Sequence, residues 1–236
     1  RNSVNISVAI SNDVDGDGDL DLFVGGRSVP YQYGIAADSY LYINDGKGNF
    51  VDRLADWNKT LVKGGMVTSA VWVDLDKEGN KELVIVGEWM SPGVYRIRNN
   101  KLEPVLTGLE HLSGWWQTVT TADLDNDGDQ DLVMGNFGSN FYLKPDSVNP
   151  VKLWSSDFDK NGNVDKVFTR SIAGKDMPVF LKRELTDQIP SLKKQNLRHE
   201  QYATKSIQDL FTPEDIKAAV MKEFNYSLSI IAINDG

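Results

Sequence analysis

Apolar and polar residues alternate along this chain in short runs, and each run is bounded by Gly, Asn or Asp. Alternation of this kind is typical of β-strands, because successive side chains point to opposite faces of a sheet. The runs predict two successive sets of strands, at 4–10, 20–25, 40–43, 67–73, 82–87 and 93–97. The chain therefore begins as a series of short strands.

Beyond residue 181 the apolar residues change to helical spacing. Thr212 before Pro213 predicts a helix start, with Thr as N-cap and Pro at the first helical position. Ile216, Val220 and Phe224 would then line one face of that helix. The segment has too many apolar residues for a free linker. We expect a helical insert over 182–224 that packs on the neighbouring strands or on a partner subunit, through Leu185, Ile189, Leu192, Leu197, Ile207, Leu210, Phe211, Ile216, Val220 and Phe224.

A last alternating run at 227–233 predicts a return to strand structure. It ends in Ile233-Asn234-Asp235-Gly236, which repeats the Ile43-Asn44-Asp45-Gly46 turn of the first set. We expect 225–236 to be the start of a further unit of the kind found at 1–181.

Four acidic loops separate the predicted strands. Loop one (13–21), loop three (123–131) and loop four (157–165) carry Asp or Asn at alternate positions, with Gly at position six and Asp at position nine. Ca²⁺ takes about six to eight oxygen ligands, and a glycine permits the reversal that folds them around one ion. The predicted calcium ligands are Asp13, Asp15, Asp17, Asp19, Asp21, Asp123, Asp125, Asp127, Asp129, Asp131, Asp157, Asp159, Asn161, Asn163 and Asp165, with Asp19 and Asp129 contributing backbone carbonyls.

Loop two (74–82) departs from this pattern. Glu78 and Glu82 replace shorter acids, and Lys77 or Lys81 could serve as a counter-charge. We therefore expect two to three calcium ions. An EF-hand is excluded, because it needs a bidentate Glu at position twelve and flanking helices, whereas position twelve here is Val24, Ile85, Met134 or Phe168 in the four loops.

The loops begin at residues 13, 74, 123 and 157, so the repeat is tens of residues long and holds several strands. A repeat of roughly 40–60 residues is typical of a propeller blade. The predicted fold is mainly β: a β-propeller, or a fragment of one, of four-stranded blades with Asp-rich calcium loops. An α-helical insert near the C-terminus completes it.

Composition narrows the function classes. The net charge is −9, but half of the 34 acidic residues lie in the four loops, so the acidity belongs mostly to the predicted metal sites and no basic stripe indicates nucleic acid. The chain has no cysteine, which excludes thiol chemistry and disulfides. No apolar run approaches the roughly 18 residues of a membrane span. The chain starts at Arg1 rather than Met, and we expect it to be part of a longer protein.

The calcium loops and the 44–50 turn resemble the FG-GAP/VCBS repeat family of integrin-type propellers. Three further segments are similar to the ASPIC-type members, which are exported bacterial proteins: Gly114-Trp115-Trp116, Gly135-Asn136-Phe137-Gly138, and Gln201-Tyr202-Ala203 with Asp209-Leu210-Phe211. The resemblance implies a calcium-braced propeller at the cell surface or in the envelope. It implies no single ligand or reaction.

Three functions remain open from the sequence. The first is a non-catalytic module for glycan or protein binding, as in cell adhesion, located outside the cell or in the periplasm, where calcium is millimolar. The second is a polysaccharide lyase or hydrolase on a propeller, for which we find no converging base, acid and charge stabiliser. The third is a calcium sensor, for which strand-embedded loops are poorly suited. We favour the first.

Overall fold

The computed structural model describes residues 4–195 and 198–236, which form four antiparallel β-sheets and a group of short helices. The expected mainly β fold is confirmed. Leu197, expected in the apolar face of the helical insert, lies outside the described residues. None of the helices in the described ranges combines the length and apolar character needed to cross a membrane.

Sheet one forms from the first predicted set of strands. Its strands lie side by side in the order in which they occur in the chain: β1 (Asn5–Asn12), β2 (Asp21–Ser28), β3 (Tyr40–Asn44) and β4 (Phe50–Asp52). Loop one joins β1 to β2, and the glycine-rich turn joins β3 to β4. Helix α1 (Leu54–Trp57) and a 3-10 helix (Lys59–Lys63) then lead to the second sheet.

Sheet two repeats this arrangement. It contains β5 (Met66–Val73), β6 (Glu82–Met90), β7 (Gly93–Arg98) and β8 (Lys101–Val105), and the short strand β9 (Gly114–Trp115) pairs with the far end of β6. A 3-10 helix, Leu109–His111, lies between β8 and β9. Sheets one and two meet where β1 and β2 contact β5. Their shared core includes the buried side chains of Phe23, Leu41, Trp72 and Leu83.

Sheet three contains β10 (Thr118–Ala122), β11 (Asp131–Gly135) and β16 (Ile230–Ala232). Our expectation that 225–236 starts a further unit is therefore wrong. Leu132, Val133 and Met134 of β11 pair with β16, so the last strand is the third strand of sheet three. The Ile-Asn-Asp-Gly turn occurs twice because each copy ends the third strand of a sheet.

In sequence, the strands of sheet four fall between two strands of sheet three. Sheet four contains β12 (Val151–Ser156), β13 (Asp165–Ile172), β14 (Lys175–Pro178) and β15 (Val220–Phe224), in the order β14-β13-β12-β15. All of it is inserted between β11 and β16. The expected boundary at 181/182 consequently divides one sheet, because β14 precedes the helices and β15 follows them.

The last predicted helix is shorter than expected. Helix α5 (Pro213–Ala218) begins as predicted, with the Thr212 hydroxyl accepting a hydrogen bond from the Asp215 N–H at 3.2 Å. It does not continue through Val220 to Phe224, which form β15 and pair with β12. The strand is favoured over a longer helix there because strand pairing buries Phe224, which is 1% exposed, against the neighbouring sheets.

The remaining helices pack on sheet four, as expected for an insert. They are α2 (Lys182–Gln188), the 3-10 helix Pro190–Gln195, α3 (His199–Tyr202) and α4 (Ile207–Leu210). Their core joins them to loop four and β13, because Leu185, Ile207 and Phe211 share one buried cluster with Phe158 and Val167. The helices are therefore anchored to sheet four.

Sheet four also packs against sheet two through aromatic rings, and against the 29–39 loop of sheet one. Trp89 at the end of β6 contacts Phe168 and Phe224, with ring centroids 5.6 and 5.3 Å apart. The ring of Trp115 stacks on Phe224 at 4.6 Å. Gly34, with φ +96°, backs onto Ser155, where any side chain would overlap the serine hydroxyl. The aromatic cluster and the 29–39 loop thus hold sheet four in place.

Candidate metal loops

The four acidic loops occupy equivalent places in the fold, since each joins the first and second strands of its sheet. Each is closed by the same hydrogen bond, from the N–H of the position-six glycine to a carboxylate oxygen of the position-one Asp. The donor–acceptor distances are 3.0 Å for Gly18–Asp13, 3.0 Å for Gly79–Asp74, 3.1 Å for Gly128–Asp123 and 2.8 Å for Gly162–Asp157. Four sequences therefore fold into one loop geometry.

Two positions in every loop have left-handed backbone. Position six is glycine in all four loops, with φ between +87° and +94°. Position four is also left-handed, in Gly16, Lys77, Asn126 and Lys160. A lysine in this region has an unfavourable backbone conformation that glycine does not, so the loop imposes this geometry whatever residue the sequence supplies.

The carboxylates of each loop converge. One oxygen from each member of a group lies within 4.8 Å of the others in four groups: Asp13 with Asp15 and Asp17, Asp74 with Asp76 and Glu82, Asp123 with Asp125 and Asp127, and Asp157 with Asp159 and Asp165. Oxygens bound to one Ca²⁺ at about 2.4 Å lie no more than about 4.8 Å apart. The spacing in every group therefore suits a single calcium-sized ion.

Three of these groups contain an unsatisfied buried oxygen. Asp74 Oδ1, Asp123 Oδ1 and Asp159 Oδ1 are each buried without a hydrogen-bond partner in the described residues. A buried carboxylate oxygen without a partner is unfavourable. A cation held by the same carboxylates would satisfy it, so the residues present fit a hard divalent ion such as Ca²⁺.

The position-nine aspartates are buried and hold the loop to the sheet. Asp21 accepts hydrogen bonds at 2.8 Å from the N–H groups of Val14 and Asn44. Asp131 does the same from Leu124 at 2.8 Å and Asn234 at 2.9 Å. In loops one and three this residue lies outside the converging trio. Its oxygens bind backbone N–H groups and retain lone pairs that could also face an ion.

The position-seven residues of loops one and three direct their side chains away from their own loops. Asp19 lies against Gly46 of the β3–β4 turn, and Asp129 forms an ion pair with Lys77. Their side chains are thus engaged outside the loop, which leaves the backbone carbonyls as the expected donors. In loop four, Asn163 donates to Asn161 Oδ1 through its backbone N–H at 2.8 Å and its side-chain amide at 2.9 Å.

Burial, with a contribution from neighbouring carboxylates, raises the pKa of two loop aspartates. Burial is the largest cause for Asp165, whose pKa rises to about 6, and the charges of Asp159 and Asp157 add to it. Burial also raises the pKa of Asp15, with further contributions from the charges of Asp21, Asp17 and Asp13. A bound cation would favour the charged forms and oppose these shifts.

Loop two has a protein cation of its own. Arg96 on β7 bonds through Nη2 to Asp76 and through Nε to Glu82 Oε1 at 3.2 Å. Glu82 is only 2% exposed. The counter-charge in loop two is therefore Arg96, and the suggested Lys77 instead reaches loop three. Sequence reasoning missed Arg96 because it lies 14 residues beyond Glu82 on another strand.

Comparison with known proteins bears on the repeats. A family model described as FG-GAP-like repeat matches residues 13–85 and again 79–134, which together span just over half of the chain and include loops one to three. No curated protein matches significantly. The similarity to ASPIC-type members stays a prediction. The repeated loops and the two matches together place this chain in the FG-GAP-like repeat family.

Proposed function

We propose that this chain is a non-catalytic, calcium-binding propeller module of an exported bacterial surface protein, and that it mediates glycan or protein binding. Sheets one to three act as blades, and two to three Ca²⁺ ions, in loops one, three and four, each hold the first two strands of a sheet together. The observation that carries this proposal is the convergence of three carboxylates in each loop, with a buried oxygen in loops two, three and four that lacks a partner among the described residues.

Loops one, three and four are the proposed occupied sites. Loops one and three each gather three aspartates, and loop four gathers Asp157, Asp159 and the buried Asp165. The Arg96 guanidinium makes loop two the weakest candidate, because a second cation there would have to displace it. Calcium would act on stability, since a ligand bound only by the folded state stabilises it by RT ln(1 + [L]/Kd).

We place the module outside the cell or in the periplasm. Millimolar calcium there matches the weak affinity of extracellular calcium modules, for which Kd is roughly 10⁻⁴–10⁻³ M. Family membership supports the same compartment.

A paired assay tests the binding function. The protein is applied to a glycan array in calcium and in chelator, and the same preparations are incubated with uronic acid polymers to detect lyase products. We expect calcium-dependent retention of glycans and no new reducing ends or unsaturated products. Polymer cleavage that depends on the protein would instead support the lyase or hydrolase alternative.

A further inference from the structure

A polar cavity of about 710 Å³ lies at the strand ends remote from loops one to three. It is lined where β1, β5 and β10 begin and where β2 ends, by Asn5, Ser7, Arg27, Tyr33, Thr68 and Gln117 among others. Small-molecule sites have volumes of roughly 300–1,000 Å³. The cavity is therefore large enough for one or two sugar rings, and it shares no lining residue with the acidic loops.

One wall of the cavity rests on a buried ion pair. Arg27 Nη2 lies 2.6 Å from Glu88 Oε1, and the Glu88 side chain is only 10% exposed. The Arg27 side chain remains 43% exposed, so its other N–H groups stay open to a ligand. The pair is neutral overall. It supplies a fixed donor to the cavity without giving it a net charge.

The backbone beside this ion pair is strained. Trp89, next to Glu88, has φ +59° and is 4% exposed, at the register shift between Glu88 and Met90 where β9 pairs with β6. Its indole N–H donates to the Tyr33 hydroxyl at 3.0 Å. Positive φ is rare for a bulky residue, and such strain and bulges concentrate at functional sites. The strained residue supports a cavity-lining side chain directly.

The cavity offers both acceptors and donors. The hydroxyls of Ser7 and Thr68 donate inward, to the carbonyls of Val67 at 2.6 Å and Trp116 at 2.7 Å. Each hydroxyl oxygen keeps acceptor capacity.

The amides of the cavity offer groups of both kinds. The side-chain nitrogens of Asn5 and Gln117 donate to Ser28 Oγ at 3.2 Å and to the Trp115 carbonyl at 3.0 Å. Their amide oxygens remain as acceptors, and each amide nitrogen keeps a second N–H as a donor. The lining therefore suits hydroxyl groups, which both donate and accept, and the neutral Arg27–Glu88 pair gives it no net charge that would favour an ion.

We propose that this cavity binds a neutral sugar residue, whose hydroxyls donate to Asn5, Gln117, Ser7 and Thr68 and accept from Arg27. The proposal rests on the proposed glycan-binding function and gives that function a location and a ligand class. Tyr33 and Trp89 hold the floor of the site, and the Arg27–Glu88 pair fixes the position of its donor.

The test uses the calcium-loaded chain on a printed array of neutral and acidic glycans, followed by titration with the best soluble neutral oligosaccharide. Gln117→Ala and Asn5→Ala each remove one exposed amide. We expect each variant to bind about fivefold more weakly, the effect of one lost hydrogen bond. Gln208→Ala is the matched control, because this exposed amide on α4 donates to Asp176 of β14, away from the cavity, and the change should leave affinity unchanged.

Two results would overturn the proposal. One is neutral glycan binding that Gln117→Ala and Asn5→Ala both leave at the wild-type affinity, which would keep the glycan function and place it elsewhere. The other is that the wild-type protein binds no neutral glycan on the array. Calcium content and melting temperature, measured on the same samples, report separately on the metal loops and on folding. If one variant fails to fold, the other carries the comparison.

Discussion

Lys77 of loop two forms an ion pair with Asp129 of loop three, with 2.5 Å between Nζ and Oδ1. Asp129 is 6% exposed, and its hydrogen bond is the largest cause that raises the Lys77 pKa. Asn234 adds a second link, because its side chain donates to the Leu75 carbonyl at 2.7 Å. Loops two and three are therefore coupled through contacts of Lys77 and Asn234, which the loop motif does not specify.

Lys77→Gln tests this link. The variant leaves the buried Asp129 without its cation, so we expect the melting temperature in chelator to fall by a few degrees. Lys160→Gln is the matched control, because Lys160 has the same loop position and left-handed backbone but forms no ion pair within the described ranges. Equal effects of both variants in a thermal melt would show that the ion pair contributes nothing.

Arg96→Leu should convert loop two into a metal site. Without calcium, the change leaves Asp76 and the buried Glu82 unpaired, and we expect a loss of about 1–3 kcal/mol in the free energy of unfolding. Added calcium should recover part of this loss, and metal analysis should find about one more ion per chain. Arg98→Leu, an exposed arginine on the same strand, is the control. An unchanged ion count would show that Arg96 does not close this loop.

Tyr202 should make stability fall at high pH. Burial raises its pKa to about 12, and its hydroxyl donates to the Phe180 carbonyl at 2.8 Å. The unfolded tyrosine ionises near pH 10, so above that pH the folded state holds more protons and stability declines until the folded group ionises. Tyr202→Phe should lower stability by about 1 kcal/mol at neutral pH and weaken this decline. Denaturant unfolding at each pH measures the stability of both proteins. A decline of the same size in both would contradict this role.

Replacing 182–219 with a Gly/Ser linker tests whether loops one and three bind calcium independently of the helical insert. Strand β15 is retained because it belongs to sheet four. We expect loops one and three to keep their calcium, and loop four to bind more weakly, because Phe158 of that loop stacks on Phe211 at 4.2 Å. Calorimetric titration gives the affinities. Loss of calcium from loops one and three would mean that the insert belongs to their core.

Local chemistry is what made the loops and strands predictable. Gly at position six and Asp at alternate positions act within nine residues, so one stretch such as 123–131 carries the whole signal. The Thr212-Pro213 helix start is equally local, and it forms as predicted. Both were readable because their determinants are neighbours in the chain.

The failures all involve partners that are distant in the chain. Nothing near Ile230 shows that it pairs with Met134, and nothing near Val220 shows that it pairs with Ser155. The Ile-Asn-Asp-Gly repeat did carry the signal for the first pairing, since Asn44 and Asn234 both donate to a position-nine aspartate. We interpreted the repeat as a new beginning, although it ends a third strand in both places.

Calcium content tests the central claim most directly. The chain is dialysed to equilibrium against millimolar calcium, and the metal in excess of the dialysate is measured per chain for the wild type and for Asp123→Asn/Asp125→Asn. The account predicts two to three ions in the wild type and about one fewer in the variant, whose converging trio loses two of its three carboxylates. Less than one ion per wild-type chain would contradict it.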